Sequence, residues 1–182
     1  FAALKTDGSV VTWGFAFRDI ISGEDSSSVA SDLSDGVSTI FSTAYAFAAL
    51  KKDGSLVTWG KPSDGGNSSN VSGQLSSGVS TIFSTSRAFA ALKNDGSVVT
   101  WGDSEYGGTA PSDLSGVSTI FSNDSAFAAL KENGSLVTWG GAGGGNSSDV
   151  ASDLSSGVLT LSHGCFYYKG RYKFHPLYSE PE

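Results

Sequence analysis

The sequence predicts an all-β protein built as an array of four repeats. A stretch of fourteen residues recurs four times, starting at residues 1, 47, 89 and 127, which gives a repeat of about 42 residues. Each copy is predicted to form a hairpin, because Asp-Gly or Asn-Gly separates a mostly apolar run from a β-branched run ending in tryptophan. The copies are FAALKTDGSVVTWG (Phe1–Gly14), FAALKKDGSLVTWG (Phe47–Gly60), FAALKNDGSVVTWG (Phe89–Gly102) and FAALKENGSLVTWG (Phe127–Gly140).

The tight turn of each hairpin requires a backbone conformation that few residues adopt. Asp-Gly and Asn-Gly suit such turns because both residues tolerate positive φ. We therefore predict positive φ at the four turn glycines, which are Gly8, Gly54, Gly96 and Gly134.

Two kinds of side chain in the hairpins predict how neighbouring units pack. The first hairpin strand carries two adjacent alanines in every copy, which suits a strand crowded near the axis of a radial array. The tryptophan near the end of each hairpin is large enough to fill the wider space between units. We therefore expect all four rings to be buried at equivalent positions, namely Trp13, Trp59, Trp101 and Trp139.

A further strand is predicted before three of the four hairpins. The run GVSTIFS occupies Gly36–Ser42, Gly78–Ser84 and Gly116–Ser122, and a shorter version, GVLTLS, follows the last hairpin at Gly157–Ser162. Only about four residues connect this strand to its hairpin, so neighbouring strands should pair antiparallel. Each unit therefore has three or four short antiparallel strands.

The segment after each Trp-Gly is rich in Gly, Ser and Asn, and it ends in a brief periodic pattern. Three i,i+4 pairs of Val and Leu (29/33, 71/75 and 150/154) predict a helix of one or two turns, with an irregular outer strand as the alternative. The third unit has Pro111 instead, which suits a first helical turn. The first unit carries the apolar insertion FAFRDII, Phe15–Ile21, where Phe15 and Phe17 form a candidate contact site.

Residues 163–182 depart from the repeat, so we divide the chain into a repeat domain, 1–162, and an atypical end, 163–182. The end is predicted to contain a shortened hairpin at Phe166–Phe174 and an extended tail. Aromatic and basic residues alternate there, which favours a protein interface, with a folded cap on the last unit as the alternative. The candidate partner-binding residues are Phe166, Tyr167, Tyr168, Arg171, Tyr172, Phe174 and Tyr178.

Composition excludes several classes of function. The net charge of −7 argues against a nucleic-acid surface and against docking on anionic lipid. No run approaches the roughly 20 apolar residues that span a bilayer, so no membrane insertion is expected. The composition is that of a soluble, acidic protein, and its single cysteine, Cys165, can form no disulfide within the chain.

No catalytic, cofactor or metal site is predicted. The turn acids Asp7, Asp53 and Asp95 each stand alone beside a glycine, whereas Ca²⁺ needs several converging oxygens. His163 and Cys165 supply two of the three or four ligands that zinc requires, with His175 further along the tail. The chain has no Gly-x-Ser-x-Gly elbow, phosphate loop or dinucleotide fingerprint.

The complete unit, V-S-T-I-F-S followed by A-F-A-A-L-K-x-D-G-S-V-V-T-W-G and a Gly-rich loop, resembles the repeats of the regulator-of-chromosome-condensation family. The resemblance covers nearly all of residues 1–162 and implies a β-propeller-like array. The chain departs from the family by having Ala-Phe-Ala where a histidine is usual, shorter Gly-rich loops, and four units where seven are usual. None of the surface residues behind the founding member's nucleotide-exchange activity can be matched here.

The expected function is a non-enzymatic protein-interaction or structural module, acting as an accessory or scaffold subunit of a larger assembly. The family resemblance implies an alternative, regulation of a nucleotide-binding protein. Five Asn-x-Ser triplets allow a third, a secreted glycan-binding or adhesive domain, although such triplets also arise by chance in a Ser-rich chain. The wording of the repeats is most similar to repeat proteins of single-celled algae, which leaves a plastid location as one option, after removal of a targeting segment.

The repeat domain begins and ends at different points of the repeat. The chain starts with a hairpin and finishes the regular part with a strand that lacks its hairpin. Pairing of Val158–Ser162 beside Phe1–Gly14 would close a ring without open strand edges. The alternative is an open array in which Phe166–Phe174 supplies the missing hairpin locally.

Overall fold

The computed structural model describes residues 1–14, 26–112 and 114–162, and these residues form eleven strands in four units. Unit 1 contains β1 and β2, and units 2, 3 and 4 contain three strands each. The strands are β1 Ala2–Leu4, β2 Val10–Thr12, β3 Val37–Ser42, β4 Ala46–Lys51, β5 Leu56–Gly60, β6 Val79–Ser84, β7 Ala88–Lys93, β8 Val98–Gly102, β9 Val117–Ser122, β10 Ala126–Lys131 and β11 Leu136–Gly140.

Units 2 to 4 are antiparallel sheets in which the strands pair in chain order, and unit 1 is a two-stranded hairpin. The register is the same in each unit, so that Phe47 lies opposite Trp59 and Phe89 lies opposite Trp101. The first strand of each sheet has a bulge near its start, where the hydroxyl of Ser38 in unit 2 donates to the Leu50 carbonyl at 2.9 Å. The prediction of a repeated, all-β, propeller-like array is confirmed.

The hairpin turns also agree with the sequence. The backbone φ is 83° at Gly8, 80° at Gly54, 77° at Gly96 and 77° at Gly134. A Cβ on Gly54 would lie 2.9 Å from the backbone nitrogen of Gly78, so the turn glycine is required by both its φ and its contact with the next unit.

The predicted short helices are single turns. Residues Ser27–Val29, Ser69–Val71 and Ser148–Val150 form 3₁₀ turns, and the second of these continues into one α-helix, α1, Ser72–Leu75. Two more 3₁₀ turns follow third strands, at Pro62–Asp64 and Ser104–Tyr106. The expectation of a helical turn at Pro111 is wrong, because neither Pro111 nor Ser112 is helical. This segment is four residues shorter than its counterpart in unit 2.

Three of the four core clusters of the described residues lie between neighbouring units. Between units 2 and 3, Ala46, Ala48 and Leu50 of β4 face Phe89 of β7 and Trp101 of β8. The same arrangement joins units 3 and 4 and, with smaller contacts, units 1 and 2. Alternate residues of every middle strand therefore pack against opposite neighbours.

In units 2 to 4 the paired alanines lie in the middle strand of the sheet, and the expectation that they crowd the axis of the array is wrong. Ala48 and Ala49 are fully buried and belong to the clusters on opposite sides of β4. The sheets meet along their first strands, where β3 contacts β6 and β6 contacts β9. Because neighbouring sheets cover both faces of the middle strand, small side chains allow them to approach closely.

Three of the four tryptophans are buried as predicted, and the prediction is wrong for Trp13. Trp59, Trp101 and Trp139 are at most 4% exposed, whereas Trp13 is 52% exposed. The indole of Trp101 donates to the Gly65 carbonyl of the preceding unit at 2.9 Å, and that of Trp139 donates to Gly107 at 3.0 Å. Within the described residues, no unit covers the corresponding side of unit 1.

The predicted ring closure is not observed in the described part of the chain. Residues 158–162 form no strand there, and their apolar side chains pack against unit 4, beside Leu130 and Leu136. The Val158 amide donates to the Gly134 carbonyl at 2.9 Å, as Val37 does to Gly8. Residue 158 therefore contacts unit 4 in the way that the first residue of each following unit contacts the unit before it. The alternative hairpin at Phe166–Phe174 lies outside the described residues.

Candidate functional site

The antiparallel sheets give the array two distinct rims. The turn rim consists of the hairpin turns 7–9, 53–55, 95–97 and 133–135. The loop rim consists of the connectors 43–45, 85–87 and 123–125 and the loops 61–66, 103–108 and 141–145. Connector and loop lie together because the backbone amides of Lys61, Asp103 and Gly141 donate to connector carbonyls at 2.7–3.0 Å.

The turn rim repeats one structural device. The amide and hydroxyl of Ser55 donate to the carboxylate of Asp53, at 2.9 and 2.6 Å, and these bonds hold the pKa of Asp53 below its usual value. Asp95 is lowered by Ser97 in the same way, and Asn133 accepts the same pair of bonds from Ser135. These residues stabilise turns, and among the described residues no three His, Cys, Asp or Glu are placed to hold a metal ion.

The loop rim has the same backbone scaffold in each complete unit. The hydroxyls of Thr43 and Thr85 donate to loop carbonyls at 3.1 and 2.9 Å, and the side-chain amide of Asn123 does so at 2.6 Å. The same side chains accept the amide of the first residue of the middle strand, at 2.8–3.0 Å. The first connector residue therefore fixes both the loop and the strand behind it.

On this common scaffold, unit 2 carries an aromatic side chain in the connector and a cation in the loop. The Lys61 ammonium lies 5.4 Å from the ring centroid of Tyr45 and 3.0 Å from Oδ1 of Asp64. Tyr45 is 43% exposed, whereas the Asp64 side chain is 1% exposed. A lysine fixed between a ring and a buried carboxylate loses little further freedom when a partner binds.

In unit 3 the cation lies in the connector and the aromatic ring lies in the loop. The Arg87 guanidinium of the connector lies 4.9 Å from the ring centroid of Tyr106 in the loop, and its Nη1 atom lies 3.7 Å from Asp103. The Arg87 side chain is 42% exposed. Unit 4 has Ser125 and Gly141 at the positions of Arg87 and Asp103, so its rim has neither a cation nor an aromatic ring there.

The buried carboxylate of Asp64 has one unpartnered oxygen. Its Oδ1 atom accepts the Ser63 hydroxyl at 2.9 Å and pairs with Lys61, and Oδ2 has no hydrogen-bond partner. Because a buried charge is costly unless it is compensated, we expect the Lys61 ammonium to stabilise this loop.

The partner-binding residues expected from the sequence all lie outside the described residues, so the structure does not place them. These are Phe15, Phe17, Phe166, Tyr167, Tyr168, Arg171, Tyr172, Phe174 and Tyr178. Phe15 directly follows Gly14, and the loops of the other units begin at the same point of the repeat. The cation–aromatic pairs were not predicted from the sequence. A signal for them was present, because the repeats differ at these positions while the surrounding residues are almost constant.

The Asn-x-Ser triplets are largely explained by turns. The side-chain oxygens of Asn67, Asn123, Asn133 and Asn146 each accept the backbone amide two residues later, at 2.9–3.0 Å. Asn followed two residues later by Ser is therefore a local turn device in this chain.

No family model matches the chain, and no curated protein matches it. Several solved structures do match the chain. Prp20p from Saccharomyces cerevisiae aligns at 19% identity and a TM-score of 0.44, and the match covers 76% of this chain and 41% of Prp20p. Yeast RCC1 (Prp20) bound to Kap60 aligns at 18% identity and a TM-score of 0.45, and the match covers 76% of this chain and 39% of that protein. Human WBSCR16 aligns at 18% identity and a TM-score of 0.43, and the match covers 67% of this chain and 36% of WBSCR16.

Structures of yeast RCC1 (Prp20) are therefore among those that this chain is similar to. The chain spans less than half the length of each of these proteins. The Prp20p structure was described together with that protein's binding to Gsp1p and histones. No helix in the described parts of the chain is long and apolar enough to cross a membrane.

Proposed function

We propose that the chain is a non-enzymatic protein-interaction module, an accessory or scaffold subunit whose binding surface is the loop rim. The observation that carries the proposal is a set of connector and loop residues on this rim whose side chains differ from unit to unit. They form partly exposed cation–aromatic pairs on a backbone that is otherwise the same from unit to unit.

Packing explains the frame of the repeat but not these rim residues. Tyr45, Arg87 and Ser125 occupy equivalent connector positions, so the backbone accepts an aromatic, a cationic or a small side chain there. Loops on a rigid scaffold are where proteins most often carry binding residues. Tyr and Arg are also the residues enriched at the centres of protein interfaces.

The charges of the rim favour a protein partner over a polyanion. Each cation is paired with a carboxylate, Lys61 with Asp64 and Arg87 with Asp103. A surface that binds phosphate backbones needs uncompensated basic residues, and the chain as a whole carries a net charge of −7.

The proposal can be tested by exchanging residues between repeats. The variant Tyr45→Ser, Arg87→Ser gives units 2 and 3 the connector residue of unit 4, which the scaffold already accepts. The control is Lys52→Asn, which changes the residue just before the hairpin turn of unit 2 to the one that unit 3 carries as Asn94. Proteins that co-purify with the chain from its source are identified by mass spectrometry, and their affinities for each variant are then measured.

We expect the double variant to bind the partner at least about tenfold more weakly and the control to bind it normally. Cross-links between chain and partner should map to the loop rim. Unchanged affinity of the double variant, or cross-links confined to the turn rim, would refute the proposal. If the partner binds a nucleotide, its rate of nucleotide release with and without the chain distinguishes a regulator from a scaffold.

A further inference from the structure

Units 2 and 3 carry the same three kinds of side chain at three equivalent positions of the loop rim, in a different order. The positions are the third connector residue and the first and fourth loop residues. Their occupants are Tyr45, Lys61 and Asp64 in unit 2 and Arg87, Asp103 and Tyr106 in unit 3. In both units the cation lies near the ring and the carboxylate. The order decides which of the three groups remains open to a partner.

The cation of unit 2 is compensated within its own loop. The Lys61 ammonium lies 3.0 Å from Oδ1 of Asp64, which is hydrogen-bond distance, and the Asp64 side chain is 1% exposed. Moving this ammonium towards a partner anion would leave a buried carboxylate without its counter-charge, which is costly. Lys61 is therefore a poor anchor for an anion.

The cation of unit 3 is positioned without being hydrogen-bonded. The Nη1 atom of Arg87 lies 3.7 Å from Oδ2 of Asp103, which is beyond hydrogen-bond distance, and the guanidinium makes no hydrogen bond to any described residue. The Arg87 side chain is 42% exposed. Its planar fork of N–H donors is therefore available to a partner.

Two neighbours that are themselves anchored hold the guanidinium in this position. Oδ1 of Asp103 accepts the backbone amide of Glu105 at 3.0 Å, so the loop fixes this carboxylate. The Tyr106 ring, whose centroid lies 4.9 Å from the Arg87 guanidinium carbon, packs on the core between units 3 and 4. Because both neighbours are fixed, the guanidinium loses little further freedom when a ligand binds.

The connectors of units 2, 3 and 4 form a continuous line across the loop rim. The amide of Ala44 donates to the Ser86 carbonyl at 3.0 Å, and the amide of Ser86 donates to the Asp124 carbonyl at 2.9 Å. Arg87 therefore lies on the middle connector of the three. The connector on one side carries Tyr45, which is 43% exposed, and the connector on the other side carries the exposed Asp124.

The surrounding charges select the kind of anion that Arg87 can bind. Asp103, Glu105 and Asp124 are at least partly exposed on the same rim. They disfavour a ligand with a high negative charge, such as a phosphate group or a nucleic acid. A carboxylate carries a single negative charge, and its two oxygens match the guanidinium in a bidentate pair.

We propose that Arg87 binds the carboxylate of an Asp or Glu side chain of the partner protein, and that an apolar neighbour of that acid packs on Tyr45. An aromatic side chain beside an arginine is typical of the centre of a protein interface. This assignment rests on the proposed function, because it takes the loop rim as the binding surface, and it names the chemistry that the partner presents there.

The first test uses the purified 182-residue chain and random peptides displayed on phage, so it requires no identified partner. Peptides are selected on the unchanged chain, with excess soluble Arg87→Gln chain to remove those that do not depend on Arg87. We expect the selected peptides to share an Asp or Glu beside an apolar residue. Their affinity should fall at least about tenfold when that acid is replaced by its amide, and similarly on Arg87→Gln.

Two matched variants and one competing anion complete this test. Arg87→Lys keeps the charge but loses the planar fork, so it should recover only part of the affinity. Lys52→Asn changes the net charge by the same amount as Arg87→Gln, and it should bind the peptides normally. Inorganic phosphate should displace the peptides no more than sodium chloride of the same ionic strength does. Circular dichroism verifies that each variant is folded.

Three results of the peptide test would overturn the proposal. They are the absence of any peptide that depends on Arg87, Arg87-dependent peptides that bind equally well after the acid is replaced by its amide, and displacement by phosphate beyond the effect of ionic strength. The last result would show a general anion site.

The co-purifying partner separates this proposal from the proposed function. We expect Arg87→Gln to weaken the partner at least about tenfold, and its effect should not be additive with replacement of a partner acid by its amide. If the double variant of Tyr45 and Arg87 weakens the partner but Arg87→Gln does not, the loop rim is the interface and the carboxylate proposal is wrong. Cross-links confined to the turn rim would refute both.

Discussion

Units 1 and 3 contain nearly the same hairpin sequence, and the structure treats them differently. Both hairpins stack a Phe ring on a Trp ring across the strand pair. In unit 3 the pair lies between two sheets and Trp101 donates a hydrogen bond to the preceding unit, whereas in unit 1 Trp13 is half exposed. Local sequence therefore forms the hairpin, and the neighbouring unit determines how much stability its side chains contribute.

The largest difference between the two units should appear on removal of the indole. Trp101→Ala should lower the free energy of unfolding by about 3–5 kcal/mol, because it leaves a cavity and an unpaired Gly65 carbonyl. Trp13→Ala should lower it by less than about 1 kcal/mol, since the ring is already half exposed. Urea denaturation at a low protein concentration measures both, and equal losses would show that the units are energetically equivalent.

The alanine positions give a second, smaller contrast. Ala91→Leu should destabilise the chain by about 1–3 kcal/mol, because the residue is fully buried between two sheets. Ala3→Leu, at the same repeat position on the open face of unit 1, should change stability by at most about 0.5 kcal/mol. The midpoints of thermal unfolding compare the two variants, and a tolerated Ala91→Leu would contradict the close packing described above.

The loop rims of units 2 and 3 provide a third contrast. Lys61→Ala leaves the buried Asp64 carboxylate uncompensated and should cost about 1–2 kcal/mol, a discounted value because Lys61 is one third exposed. Arg87→Ala breaks a longer pair between two accessible side chains and should cost at most about 0.5 kcal/mol. Denaturant unfolding at neutral pH measures the loss of unfolding free energy in each variant. A larger loss for Arg87→Ala than for Lys61→Ala would contradict our account of the loop rim in units 2 and 3.

The smallest expected effect distinguishes the turns of units 2 and 4 by their response to pH. The pKa of Asp53 is lowered from 3.8 by hydrogen bonds from Ser55, so its stabilising contribution is present above the unfolded pKa near 3.8. That contribution is lost as the pH falls through the lower folded pKa. Asp53→Asn, which introduces the residue that unit 4 carries as Asn133, should therefore reduce the loss of stability on acidification. Unfolding curves between about pH 2 and 6 measure this, and identical pH profiles would rule it out.

The candidate site was less predictable from sequence than the fold. Phe15, Phe17 and the aromatic residues of the tail were predicted as binding residues because they are apolar residues outside the repeat. The rim pairs Tyr45 with Lys61 and Arg87 with Tyr106 were missed because their members lie 16 and 19 residues apart in the sequence. Only the antiparallel sheet brings each connector beside its loop.

The features that depend on neighbouring residues could be predicted from the sequence. These are the hairpins, the positive φ of Gly8 and its counterparts, and the antiparallel order of three short strands, since Asp-Gly turns and short connectors permit few conformations. Tertiary structure alone decided the exposure of Trp13, the place of the alanines in the middle strands, and the path of residues 158–162 along unit 4. Each of these depends on which surface packs across from the residue, and identical local sequences cannot specify different neighbours.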